Sequence, residues 1–170
     1  MNLTVRQSIN VDVYLENDYQ GNLPEGDLEQ IGYVNWVSWF DTWLQSLSID
    51  SKILQDCELS LRLTGDRQIQ TFNRQYRAQD KPTDVLAFAA TESELMLPSD
   101  INEPLYLGDI IISLDTAFMQ AKSQKHSLTV ELAWLASHGL LHLIGWDHPD
   151  DDSLRLMLEQ QSKLIQSIKI

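Results

Sequence analysis

Apolar residues recur along the chain with two distinct periods, and the change from one period to the other marks out the elements. Leu3 to Leu15 alternates through Val5, Ile9, Val11 and Val13, which predicts a strand with an irregularity near Gln7 and Ser8. Gly21 to Gly26, with Pro24 between, predicts a loop. Positions 28, 31, 34, 37, 40, 43, 44 and 47 are then apolar, a helical spacing that predicts one amphipathic helix over Asp27–Leu47. Alternation returns at Cys57 to Thr64 through Leu59, Leu61 and Leu63, a strand with one face on the core. Thr64 or Asp66 can cap a helix running to about Tyr76, with Ile69, Phe72 and Tyr76 on its inner side. Two further strands are predicted at Asp84–Ala90 and Leu105–Ser113, paired with each other across a polar loop at 92–104 that contains Pro98 and Pro104.

Three helices follow. The first starts at Ser113 or Asp115 and runs to about Gln124. The second is capped by Ser127, carries Glu131 in its early turns to complement the dipole, and is apolar nearly all round from Leu132 to Ile144. The last opens at Asp150–Asp152 and shows an apolar side at Leu154, Met157, Leu158, Leu164 and Ile168. The order βαβαββααα predicts an α+β fold, one small mixed sheet with helices packed on it, and a single domain over residues 1–170.

Composition changes this picture little. With 43% hydrophobic and 22% charged residues, the chain is an ordinary globular one, long enough to bury a core without staples. The single cysteine, Cys57, excludes an intramolecular disulfide and fits a reducing compartment. No signal-peptide core opens the chain and no run reaches the roughly 18 apolar residues of a membrane span, so a cytoplasmic protein without membrane association is expected. Trp36, Trp39 and Trp43 crowd one helix face; core packing is the expected use, rather than a stacking platform for bases.

Charge adds more. The formal net charge is −13, yet residues 62–81 hold five basic residues (Arg62, Arg67, Arg74, Arg77 and Lys81) against Asp66 and Asp80. That segment is +3, while the rest of the chain, with seven basic and twenty-three acidic residues, is −16. A basic patch on an acidic body suits a polyanion gripped in one groove; a solvated helix face is the plainer alternative.

The chemistry concentrates in His138-Gly139-Leu140-Leu141-His142-Leu143-Ile144-Gly145-Trp146-Asp147-His148, which holds three of the four histidines. His138 and His142 are one helical turn apart and project from the same face. Gly145 can leave the helix in a left-handed conformation, which lets the chain double back and present His148. On a helix this apolar, two adjacent imidazoles without a partner would be costly to bury, and a metal ion removes that cost. Three imidazoles with open positions left over describe a catalytic zinc site rather than a closed structural one, although nickel or copper would also suit the ligands. The spacing (+4 His, +7 Gly, +10 His) matches metzincin proteases except at one place: Gly139 stands where such a protease carries its general-base Glu. Asp147 is either a turn residue or an orienting partner of a ligand. His126 lies outside the spacing and is expected in a loop or cap.

Two blocks carry a family resemblance. Phe72-Asn73-Arg74-Gln75-Tyr76-Arg77-Ala78-Gln79-Asp80-Lys81-Pro82-Thr83-Asp84-Val85-Leu86-Ala87-Phe88 and His138–His148 resemble, in order, the two signature segments of the YbeY endoribonuclease family, and Leu107-Gly108-Asp109-Ile110 resembles its Gly-Asp-Ile strand. The likeness runs from about residue 70 to the C-terminus, with Ala87 where the family usually has Ser and Ala89-Ala90 in place of a common Pro; nothing is carried over to Gly21–Asp56. The resemblance implies a zincin-like fold and one zinc ion on His138, His142 and His148. It also implies cleavage of single-stranded RNA, maturation of ribosomal RNA at the 3′ end of the 16S RNA, ribosome quality control, and work alongside the ribosome or its small subunit. The family's functional arginine falls on Arg77, whose guanidinium suits a phosphodiester gaining charge; an ion pair with Asp80 or Asp84 is its alternative use. The general base stays open among water activated by the metal, a carboxylate such as Asp147, and the RNA 2′-hydroxyl. Two rival functions share the ligands: a metal-dependent protease, which Gly139 argues against, and a non-catalytic assembly factor stabilised by its metal.

Overall fold

The structure, a computed structural model, describes residues 9–51, 55–92 and 103–170. Its first strand, β1, is Val11–Asn17; the expected start of that strand at Leu3 and Val5, and most of the 92–104 loop, lie outside the described residues. Strands β2 (Cys57–Thr64), β3 (Val85–Ala89) and β4 (Leu105–Ser113) complete a four-stranded sheet in the order β1-β2-β4-β3. The first three in that order are parallel, and β3 runs antiparallel to β4 at the edge. The sheet is therefore mixed, and the α+β class read from the pattern holds.

The helix expected over Asp27–Leu47 is two helices, α1 (Glu25–Gly32) and α2 (Trp36–Ser51). The observed order is thus βααβαββααα, with a short 3-10 turn at Ala90–Glu92 after β3. The break falls at Tyr33–Asn35, where the Asn35 side chain accepts from the Ser38 backbone N–H at 3.0 Å and caps the second helix. The apolar spacing of Leu28, Ile31, Val34, Val37 and Phe40 runs through the break although Leu28 and Val37 are exposed, so periodicity alone does not register it. Helix α3 (Asp66–Arg77) is preceded by Gly65, not capped by Thr64 or Asp66. The Asp66 carboxylate instead accepts from the Ser113 and Thr116 hydroxyls at 2.6 Å each, which ties α3 to the start of α4 (Leu114–Gln124). Ser127 caps α5 (Leu128–Leu143), and Asp150 caps α6 (Asp151–Gln166) in a reciprocal box with Ser153.

Alternation along the strands divides the sheet into two faces. Leu59, Leu61, Leu63, Ile110 and Ile112, all at or below 1% exposed, meet α2 and α5 in the main core, where Phe40, Trp43, Leu132 and Leu140 are completely buried. Trp36 and Trp39 are buried there too, and the Trp43 indole donates to the Leu164 carbonyl of α6 at 2.9 Å, so the tryptophans serve packing. On the opposite face Leu86 and Ile111 meet Ile69 of α3, with Phe72 and Phe88 packed against them. Helix α5 thus lies against β3 and β4 on one side of the sheet, while α3 lies on the other and ends beside the β3 edge.

Candidate functional site

Helix α5 brings His138 and His142 together as its period requires, with ring centroids 4.6 Å apart and Nε2 atoms 3.0 Å apart. The helix ends at Leu143, and Gly145, at φ +103°, turns the chain back in the left-handed region that favours glycine. His148 consequently faces the helix pair, with centroids 5.9 Å from His138 and 5.5 Å from His142. One ring nitrogen from each residue lies within 4.8 Å of the others, an arrangement that can hold a metal ion. The donor set fits such an ion on its own chemistry: two Nε2 lone pairs aimed across 3.0 Å repel unless a proton or a cation lies between them.

Burial tunes the helix pair. Desolvation pushes the His138 imidazole below the usual histidine range, partly offset by its hydrogen bond to Gln161. His142 is lowered by burial first and then by the neighbouring His138 and His148. Both are neutral at pH 7, which is the form that binds a metal.

Gly139 has a steric reason to be glycine. A Cβ there would stand 2.8 Å from Ile110 Cγ2 and 3.2 Å from its Cδ1, because α5 presses against β4 at this point. The position occupied by a base in the protease pattern therefore points into the sheet. Glu131 supplies no substitute: it is buried and its carboxylate lies 2.5 Å from His126 Nε2, an anchor for the turn into α5. His126 accordingly stands outside the three-histidine cluster. Asp147 accepts from the His148 backbone N–H at 2.8 Å and so shapes the turn that carries His148.

Arg77, the last residue of α3, shares a groove of about 840 Å³ with the three histidines. Its Nη2 donates to the Ala87 carbonyl at 2.8 Å and lies 3.4 Å from the Glu92 carboxylate, and its guanidinium covers the Phe88 ring at 4.8 Å. Its acidic partner is thus Glu92, not Asp80 or Asp84. Asp80 faces Arg74 and Gln70, while Asp84 accepts from Gln120 and the Val85 N–H. Of the five basic residues of the 62–81 segment, Arg77 and Lys81 line the groove, whereas Arg62 is paired with Glu16 at 2.8 Å across the other face of the sheet. The basic patch is divided by the fold.

Two residues of this site lie outside the sequence motifs. Glu92 lay in a segment read as exposed loop. Gln161, fully buried on α6, places Oε1 3.2 Å from His138 Nδ1 and donates from Nε2 to the Trp134 carbonyl at 3.2 Å. Its signal was available: it follows Met157 by four and precedes Leu164 by three, a polar side chain in the buried stripe of the helix.

Comparison with known proteins covers both halves of the molecule. A family model described as Endoribonuclease YbeY matches residues 25–169, and so includes most of the Gly21–Asp56 segment to which the motif blocks did not extend. An Endoribonuclease YbeY of Trichormus variabilis is 49% identical over 161 residues, 94% of this chain and 92% of that one. One from Nostoc sp. is 54% identical over 142 residues, 83% of this chain and 77% of that one. Among solved structures, a solution structure of a Thermotoga maritima protein shares the fold with a TM-score of 0.54 at 24% identity, over 92% of this chain and 88% of that one.

Proposed function

Since the chain belongs to the YbeY endoribonuclease family, we propose that it is a metal-dependent endoribonuclease that cuts single-stranded RNA, with one zinc ion held by His138, His142 and His148. In this reading it matures ribosomal RNA at the 3′ end of the 16S RNA, takes part in ribosome quality control, and acts in the cytoplasm alongside the small subunit. One observation carries the chemistry: three convergent imidazoles and an arginine line the same groove. A bound zinc ion supplies Lewis acidity that polarises a phosphoryl oxygen. The protein's own residues supply the rest. His138 and His142, neutral through burial, offer lone pairs without first losing a proton. Arg77 directs a planar set of donors at the oxygens of a phosphodiester as they gain charge, and its hydrogen bonds to Ala87 and Glu92 both use Nη2. A phosphate entering the groove competes with Glu92 for that guanidinium. Among the described residues no helix is long and apolar enough to cross a membrane.

The protease reading loses support at Gly139, where the position of the required base is filled by Ile110. Incubating zinc-loaded protein with single-stranded RNA and with casein, with and without chelator, separates the possibilities. Chelator-sensitive cutting of RNA alone is expected. Cutting of casein alone would restore the protease, and cutting of neither would leave a non-catalytic assembly factor. Arg77→Ala is expected to keep its zinc and fold while cutting RNA about 10²- to 10³-fold more slowly, the usual loss for a charge-stabilising donor. Normal cleavage by that variant would remove Arg77 from the mechanism.

A further inference from the structure

Gln161 is an uncharged amide, 0% exposed, in the buried stripe of α6, and both ends of that amide are engaged by α5. Its orientation follows from its partners. The Trp134 carbonyl can only accept, so the atom 3.2 Å from it must be the NH2 group. Turning the amide over would set oxygen against oxygen at that end with no proton between them. The carbonyl end therefore faces His138 Nδ1, at 3.2 Å, and a carbonyl oxygen can only accept. The proton of the neutral imidazole must then sit on Nδ1, which leaves the Nε2 lone pair directed at Nε2 of His142 and the groove.

From this geometry we infer that Gln161 is a positioning residue of the metal site: it fixes the tautomer and ring orientation of His138 so that Nε2 is the ligand atom. The inference rests on the metal reading proposed above and adds to it a residue from a third element, α6, that does not itself touch metal or RNA. Such partners of a ligating histidine usually change metal affinity by about 10- to 100-fold. The amide's second bond, from Nε2 to the Trp134 carbonyl, is what sets its oxygen toward His138.

The test is zinc(II) affinity, by chelator competition, of the full chain and of Gln161→Leu, Gln161→Glu and His142→Ala. Gln161→Leu, close in size but with no acceptor, is expected to bind zinc about 10- to 100-fold more weakly. Gln161→Glu keeps an acceptor toward His138 Nδ1 in either protonation state and is expected to bind zinc more tightly than Gln161→Leu; affinity no better than that of Gln161→Leu would overturn the inference. A purely structural glutamine would instead leave zinc affinity unchanged in Gln161→Leu, whatever happened to its melting temperature, and that result would overturn the inference. Nitrogen-15 NMR of the metal-free wild-type protein gives a readout that needs no variant: a proton on Nδ1 of His138 is expected, and one on Nε2 would overturn the inference even if Gln161→Leu did not fold. His142→Ala distinguishes the two levels. Should it lose zinc while Gln161→Leu does not, only the role of Gln161 fails; should it bind zinc like wild type, the ligand assignment fails and the inference with it.

Discussion

His138 and His142 stand on adjacent turns of a buried helix, whereas His148 stands on an exposed turn five residues beyond the end of that helix. The helix pair is half-buried, depressed in pKa by desolvation, and backed by Gln161 behind His138 and the Trp146 backbone behind His142. His148 is held through its backbone, by the Asp147 side chain and the left-handed Gly145. The difference separates two jobs within one proposed ligand set. Two imidazoles are placed in advance by the core and cost little ordering when a metal arrives; the third closes the site from a solvent-facing turn. A site built this way gains its affinity from the helix and its accessibility from the turn.

The largest effect should come from the helix pair. His142→Ala is expected to lose zinc entirely on dialysis, while His148→Ala retains measurable zinc at reduced affinity; metal analysis of the two side by side reverses the comparison if the order comes out the other way. Next is Gly139→Glu, which puts back the carboxylate of the protease pattern. With a Cβ already 2.8 Å from Ile110, the substitution overpacks the α5–β4 contact and buries a charge. A loss of about 1–3 kcal/mol from overpacking alone is expected in denaturant titration, with no gain of casein cleavage. A stable, proteolytic Gly139→Glu would show that the position opens to the groove after all.

Acid should act through the same two imidazoles. Their folded-state pKa values lie below the ordinary histidine value of about 6.5. As pH falls through about 6.5 the unfolded chain takes up protons at these positions before the folded one does, so the stability of the metal-free protein should decline from there downward. Thermal melts between pH 7.5 and 5.5 on wild type and His142→Asn would show a smaller decline in the variant; equal slopes would remove the burial argument. The smallest effect belongs to the other wall of the groove. Glu92→Gln frees Arg77 from an exposed ion pair worth no more than about 1 kcal/mol, so RNA binding should tighten only modestly, most visibly at low salt.

Much of this is legible in the sequence. Among the described residues, periods of two and of three to four residues locate the four strands and five of the six helices, and the +4 and +10 spacing of the histidines anticipates their meeting. The split between α1 and α2 is hidden because Leu28, Ile31, Val34, Val37 and Phe40 keep the helical spacing continuous across a break that Asn35 caps. The alternative use of Arg77, an ion pair with Asp80 or Asp84, fails for a different reason: both are near in sequence, but the left-handed turn at Ala78 and the start of β3 carry them to other partners.

What the sequence determined by itself was local and periodic: which segments are helix or strand, that two imidazoles share a helix face, and that a glycine follows them where the chain reverses. These depend on neighbours a few residues away, so they are encoded in spacing. Tertiary structure alone decided what lies across from each of those residues. Ile110 comes from β4 and gives Gly139 its reason; Gln161 comes from α6 and faces His138; Glu92 and Arg77 meet around the β3 edge. Contacts between elements far apart in the chain leave no period to read, only an occasional anomaly such as a polar residue in a buried stripe.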